Sequence, residues 1–269
     1  MDLREMIMDA IKYPINDNRK FLIFCALIVI MSLSSIVPSY GVKNDTINMV
    51  LTLITIIVAF VVLGYLIEVL KGGTEGETTL PDLDYVKHFI LGIKAMILDI
   101  IYFIIPLIIT LVVASASGLF SSFTKIVYSA IGAMEKGAEN ATAIMAAIPK
   151  SSIATFNNAL TVTLVIGIVL FVIFSLLSFT AIVRYAKTGS GIEGLRFREI
   201  LKDMQKVGVL NIIVTLIVIY VIALLLTLVI GVIGLIPYIG VFIGIFLGVP
   251  FILLFMYRAV GLLYADVYN

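Results

Sequence analysis

Cysteine, histidine and tryptophan are nearly missing from this chain of 269 residues, which holds one Cys (Cys25), one His (His88) and no Trp. A single cysteine excludes an internal disulfide and a cysteine metal cluster, and no Cys, His or carboxylate set stands at ligand spacing. No hydrolase or metalloenzyme constellation is present, so the chain is expected to be non-enzymatic, with no cofactor and no metal. Charge is scarce as well. Asp, Glu, Lys and Arg make up 13% of the residues, with 18 basic against 17 acidic side chains. That balance gives no basic surface for nucleic acid, and only the distribution of charge along the chain is informative.

What the chain has in abundance is apolar length. Hydrophobic residues are 62% of the total and the mean hydropathy is +1.20. Six apolar stretches, at 21–37, 47–70, 95–114, 159–183, 209–230 and 237–263, are each near the ~20 residues that cross ~30 Å of hydrocarbon. The stretch 159–183 is apolar all round, as a lipid-facing helix must be. The reading is an all-α membrane protein with one integral membrane domain over residues 1–269. Four acidic residues (Asp2, Glu5, Asp9 and Asp17) precede the first stretch, which argues for a retained helix over a signal peptide.

Basic residues set the orientation. With the N-terminus inside, fourteen of the 18 lie on the cytoplasmic side, and only Lys43, Lys125, Lys136 and Lys150 lie outside. The positive-inside bias therefore predicts a multi-pass protein of the cell membrane with both termini cytoplasmic. The two N-x-T sequons, Asn44-Asp45-Thr46 and Asn140-Ala141-Thr142, both fall in the outside loops.

Three stretches that precede spans one, three and five carry apolar residues at helical spacing: Leu3, Met6, Ile7, Ala10, Ile11; Leu83, Val86, Ile90, Ile93; and Phe197, Ile200, Leu201, Met204. The first and third read alike, Leu3-Arg4-Glu5-Met6 against Phe197-Arg198-Glu199-Ile200. The pattern predicts three parallel repeats, each an amphipathic cytoplasmic surface helix followed by a transmembrane hairpin, with bounds 1–75, 76–190 and 191–269. Thr79 and Asp82 suit the cap and third position of the middle surface helix, with Pro81 in its first turn. The second repeat carries an outside insert over 115–158, in which Phe123, Ile126, Val127, Ala130 and Met134 share a face and predict an outer surface helix.

From Gly64 onward the chain resembles a multi-pass family of archaea and bacteria known only as domain of unknown function 4013. The likeness is carried by Gly64-Tyr65, Val69, Gly72-Gly73, Leu80-Pro81-Asp82, Gly92-Ile93-Lys94, Tyr102 and Pro106, with fainter echoes at Tyr185 and Phe197. The resemblance implies a membrane location and a helical bundle. It brings no activity, substrate or catalytic residue with it.

Charges inside apolar stretches are the best pointers to function, because each is costly in hydrocarbon. Asp99 and Arg258 lie at a similar shallow cytoplasmic depth, ~6–8 Å at 1.5 Å per residue, and are expected to pair. Asp99, Tyr102 and Pro106 share one helix face, and Glu68, Lys94 and Arg184 lie slightly nearer the cytoplasm. These residues form either a structural ion pair or a polar pocket for a small solute or ion. Gly189-Ser190-Gly191-Ile192-Glu193-Gly194 has G-x-G-x-x-G spacing but follows a transmembrane helix, not a strand. With Arg196 and Arg198 beyond it, Gly189 and Gly191 are candidates for holding a lipid phosphate. Gly240, Gly244 and Gly248, flanked by Pro237 and Pro250, predict a helix-packing seam, and Pro106 and Pro250 are candidate helix breaks. His88 is expected at the membrane interface. The expected partners are the bilayer, anionic headgroups, and either another membrane protein or further copies of the chain.

Overall fold

The computed structural model of the chain describes residues 2–42, 44–236 and 239–268, with the side chains of all of these but Ile239, Val241 and Tyr268. Pro237 and Lys43 lie outside the described residues. Helices α1 (Leu3–Lys12), α2 (Asn18–Ser39), α3 (Asp45–Glu75) and α4 (Tyr85–Ala116) are followed by α5 (Leu119–Glu135), α6 (Ala141–Ala147) and α7 (Lys150–Thr188). The chain continues through α8 (Phe197–Val207), α9 (Val209–Ile233), α10 (Ile239–Ile243), α11 (Val249–Leu263) and α12 (Ala265–Tyr268). Six helical segments are long and apolar enough to cross a membrane: Asn18–Ser39, Asp45–Glu75, Tyr85–Ala116, Lys150–Thr188, Val209–Ile233 and Gly244–Val267.

Local chemistry sets where these helices start and stop. Asp17 caps α2 by accepting from the Lys20 N–H at 3.0 Å, and Asn44 caps α3 through the Ile47 N–H at 3.1 Å. Gly76, with φ +73°, ends α3 in a left-handed turn whose Glu77 N–H returns to the Gly72 carbonyl at 2.9 Å. Gly208, at φ +88°, separates α8 from α9.

The first and third predicted short helices are present as α1 and α8. No separate middle surface helix forms: residues 85–93 are the opening turns of the continuous α4. Its cap is Asp84, whose carboxylate accepts from the Lys87 N–H at 3.0 Å, and not Thr79. Pro81 explains the delay, because the residue before a proline is pushed out of the α region and proline itself offers no N–H. Pro106 leaves α4 unbroken. Pro250 does not, since a π-helical turn over Gly244–Gly248 precedes it and relieves the clash of its ring with the preceding turn.

The chain divides into two compact units. The first comprises residues 1–99 and 179–269. In it α3 packs along α2 and α11, and the core includes Phe24, Cys25, Ile28, Tyr65, Val69, Leu80 and Leu254. Phe24 stacks on Tyr65 with ring centroids 5.0 Å apart. Glycines let backbones meet where a side chain would not fit. A Cβ on Gly64 would lie 1.7 Å from the His88 carbonyl oxygen, and one on Gly92 would lie 2.0 Å from that of Phe60. Gly73 and Gly261 bring α3 and α11 together in the same way. Gly240, Gly244 and Gly248 all face the end of α9, against Ile233 and Ile230.

The second unit comprises residues 100–178. Phe103 meets Phe171 at 5.4 Å between ring centroids, Gly167 sits against Thr110, and Phe123 of α5 packs against Phe156 at 6.2 Å. Helix α5 buries Ser122 and Ala133 and leaves Phe120, Phe123, Ile131 and Met134 exposed.

The glycine contacts predict a contrast between two alanine substitutions. Gly64→Ala must push α3 and α4 apart and is expected to lower stability by ~1–3 kcal/mol or more. Gly132→Ala has open space around it in the α5 interior and should be neutral or stabilising by up to ~1 kcal/mol. Thermal unfolding of the two purified variants checks this, and equal shifts would contradict the close approach at Gly64.

Candidate functional site

Between the end of α3 and the start of α4 the chain leaves helical geometry, so the carbonyls of residues 77–81 have no helical partner. Buried or interfacial backbone carbonyls need donors. Each of these five receives one from a side chain. Arg258 Nη1 donates to the Glu77 carbonyl, Asn16 Nδ2 to that of Thr78 at 3.1 Å, and the Tyr13 hydroxyl to that of Thr79 at 3.1 Å. Lys20 Nζ donates to the Leu80 carbonyl at 2.8 Å and the Tyr65 hydroxyl to that of Pro81 at 3.1 Å. The donors come from the segment after α1, from α2, from α3 and from α11.

Arg258 is the hinge of this arrangement. Its side chain is 1% exposed, yet it carries a full charge. Its Nε donates to Asp9 Oδ1 at 2.8 Å, and its guanidinium carbon lies 4.6 Å from the centroid of the Tyr13 ring. The ion pair expected with Asp99 is therefore made with Asp9 instead. Equal depth does not put two side chains in contact, because rotation about each helix axis decides what a side chain meets, and α1 packs on α11 where Arg258 meets Asp9. Asp99 is half-buried on α4. Burial holds the Tyr13 phenol protonated well above its ordinary range, and the neighbouring Arg258 cation only partly opposes the rise.

A second cluster lies at the α3–α4 crossing. Glu68 accepts from Lys87 through one carboxylate oxygen and meets His88 Nε2 with the other. His88 is fully buried among neighbouring side chains, edge-on to Tyr65 at 5.3 Å. Its Nδ1 accepts the Asp84 N–H at 3.2 Å, so Nε2 carries the proton and donates to Glu68. Both ring nitrogens are thus occupied by structural bonds.

Arg184 makes a third cluster, donating to Asp203 at 2.8 Å and Glu193 at 2.7 Å. Glu193 also holds Arg196 at 2.7 Å. In the glycine-rich loop, Gly189 ends α7 with φ +68° and Gly191 has open space about it, whereas Gly194 is pressed against Leu98 and the Ala181 carbonyl. Of the two phosphate-binding candidates beyond it, Arg196 is engaged by Glu193 and Arg198 is exposed on α8. Lys94 is exposed on α4, and Tyr102 is buried in the second unit. Among the described residues, no three His, Cys, Asp or Glu side chains gather as metal ligands.

Residues 47–235 match the family model described as "Protein of unknown function (DUF4013)". The chain belongs to this family. No curated protein and no solved structure matches it. The DUF4013 segment contains the five carbonyls, Tyr65, the Glu68–His88 cluster and the Gly64–Gly92 crossing. Four of the five donors, Tyr13, Asn16, Lys20 and Arg258, lie in the flanks outside the match.

The clasp predicts a non-additive pair of substitutions in this DUF4013 protein. Asp9 keeps 39% of its side chain exposed, so Asp9→Ala, which takes the carboxylate from the buried Arg258, should cost ~1–3 kcal/mol, and adding Arg258→Met should cost less than the sum of the two single changes. Unfolding free energies of the two single variants and the double variant measure the coupling. Additive costs would mean that the two side chains do not support each other.

Proposed function

We propose that this DUF4013 protein is a non-enzymatic, lipid-binding component of the cell membrane that presents α1 and α8 to the cytoplasmic leaflet, with both termini inside. The observation that carries this reading is the outer face of α8. Ile200 and Met204 anchor the helix to the chain, while Phe197 and Leu201 are exposed. Arg198, Lys202 and Lys206 flank that exposed apolar strip. Apolar residues entering the acyl boundary beside cations at headgroup height are what an interfacial helix needs to hold anionic lipid.

The state of the other charges supports the same reading. Arg258, Glu68, His88 and Arg184 are engaged by Asp9, Lys87, Glu193 and Asp203, which favours structural roles over a solute path. A transport site at Asp99 and Arg258 would have to dismantle the Asp9 clasp first. Helices α7 and α9 bury only 11% of their most apolar windows within the chain, so lipid, further copies or another membrane protein must cover the rest.

In the full-length protein extracted with its surrounding lipids, Arg198→Glu with Lys206→Glu is expected to reduce the enrichment of anionic lipid several-fold. Each juxtamembrane cation contributes ~1 kcal/mol at low salt. Lipid analysis of the extracted particles reads the result, and unchanged enrichment would contradict the role given to α8.

A further inference from the structure

Beside the carbonyl cradle, the first turns of α2 and residues 81–83 enclose a groove of about 230 Å³. Its two ends differ in chemistry. Asp17, Arg19, Lys20 and Asp82 stand at one end, while Ile23, Phe24, Leu27 and Leu83 wall the rest. From Arg19 to Leu27 helix α2 advances ~12 Å. That is the length of a headgroup and the first part of a chain. The volume falls below the ~300–1,000 Å³ that encloses a whole drug-sized molecule, so an occupant would leave its remainder outside.

The polar end has a charge pattern of its own. Two cations face two carboxylates, so the lining is neutral overall yet strongly charged in detail. Lys20 Nζ reaches the Asp82 carboxylate at 2.9 Å as well as the Leu80 carbonyl, and the Asp82 side chain is 93% exposed. Arg19 is exposed at the mouth, and Ile23 keeps 38% of its surface open although Phe24 and Leu27 behind it are buried. A water-soluble zwitterion would leave the apolar wall uncovered. A simple anionic amphiphile would meet Asp82 unfavourably.

We propose that this groove holds one phospholipid with an amine-bearing zwitterionic headgroup. The phosphate lies against Arg19 and Lys20, the ammonium against Asp82, and an acyl chain follows Ile23 and Leu27. The assignment rests on the lipid-binding reading above for its membrane setting, but it uses residues that α8 does not touch. Lys20 then ties the lipid to the cradle, because the same amine holds the Leu80 carbonyl.

The test is native mass spectrometry of the full chain titrated with phosphatidylethanolamine, phosphatidylglycerol and phosphatidylcholine. One saturable equivalent of phosphatidylethanolamine is expected, bound at least tenfold more tightly than the other two, whose headgroups lack a primary ammonium. Ile23→Trp should block the chain path and Arg19→Ala should remove the phosphate contact, each weakening that equivalent tenfold or more at unchanged thermal stability. Asp82→Ala should erase the preference over phosphatidylglycerol. Should Ile23→Trp fail to fold, the exposed Arg19 and Asp82 variants still decide the matter. Absence of a saturable equivalent, equal affinity for all three lipids, or full retention by the Arg19 and Asp82 variants would overturn the proposal. Arg198→Glu with Lys206→Glu should leave this equivalent in place. If that pair lowers anionic enrichment while the groove variants change nothing, the groove assignment falls and the α8 reading stands.

Discussion

Five consecutive backbone carbonyls without a helix to receive them impose the constraint on which one end of the first unit depends. Glu77, Thr78 and Thr79 are exposed and can turn their carbonyls to water, so what the five donors add is order and anchorage, most of all at the buried Leu80, whose unpaired carbonyl would cost ~1–3 kcal/mol. The donors come from four separate places in the chain, Tyr13 and Asn16 after α1, Lys20 of α2, Tyr65 of α3 and Arg258 of α11. A single irregular segment therefore ties the two ends of the sequence to its middle. The same bonds make a buried Arg258 tolerable, because its charge is matched by Asp9, its Nη1 by Glu77 and its flat face by Tyr13.

How far the sequence discloses this architecture depends on the range of the interaction. All-round hydrophobicity over twenty residues is a local property, and the six spans are accordingly readable with boundaries that differ mainly where polar turns extend a helix, as at Asn18 and Glu75. Helices α1 and α8 are readable because their apolar residues repeat at helical spacing. The glycine series at 240, 244 and 248 is readable because a run of small residues has few uses other than close packing. Residues 83–93 mislead for the opposite reason: their periodicity is real, but it belongs to the opening of a long helix that Asp84 starts and Pro81 delays.

Contacts distant in sequence are not legible in it. Depth along a helix can be counted from its end, but rotation about its axis and the identity of its neighbour cannot. Counting depth alone pairs Arg258 with Asp99, whereas its partner Asp9 lies 249 residues away. The burial of His88 is equally hidden, because it follows from the Gly64–Gly92 crossing that draws the ring against Glu68. The signal for the cradle is a negative one, a stretch with Gly76, Thr78, Thr79 and Pro81 too irregular for a helix and too short to be a free linker. Such a stretch has carbonyls to satisfy, and nearby Tyr, Asn, Lys and Arg side chains are the means.

The cradle, and not any titrating group, is what this account holds to organise the protein, and its order is open to direct observation. A nitroxide attached at the exposed residue 78, in a Cys25→Ser background and in lipid, reports the motion of the segment. A slow, ordered spectrum is expected in the otherwise unchanged protein, turning to fast motion when Lys20→Met and Tyr65→Phe remove two of the five donors. Fast motion before any donor is removed, or a spectrum indifferent to their loss, would contradict the organising role of the cradle.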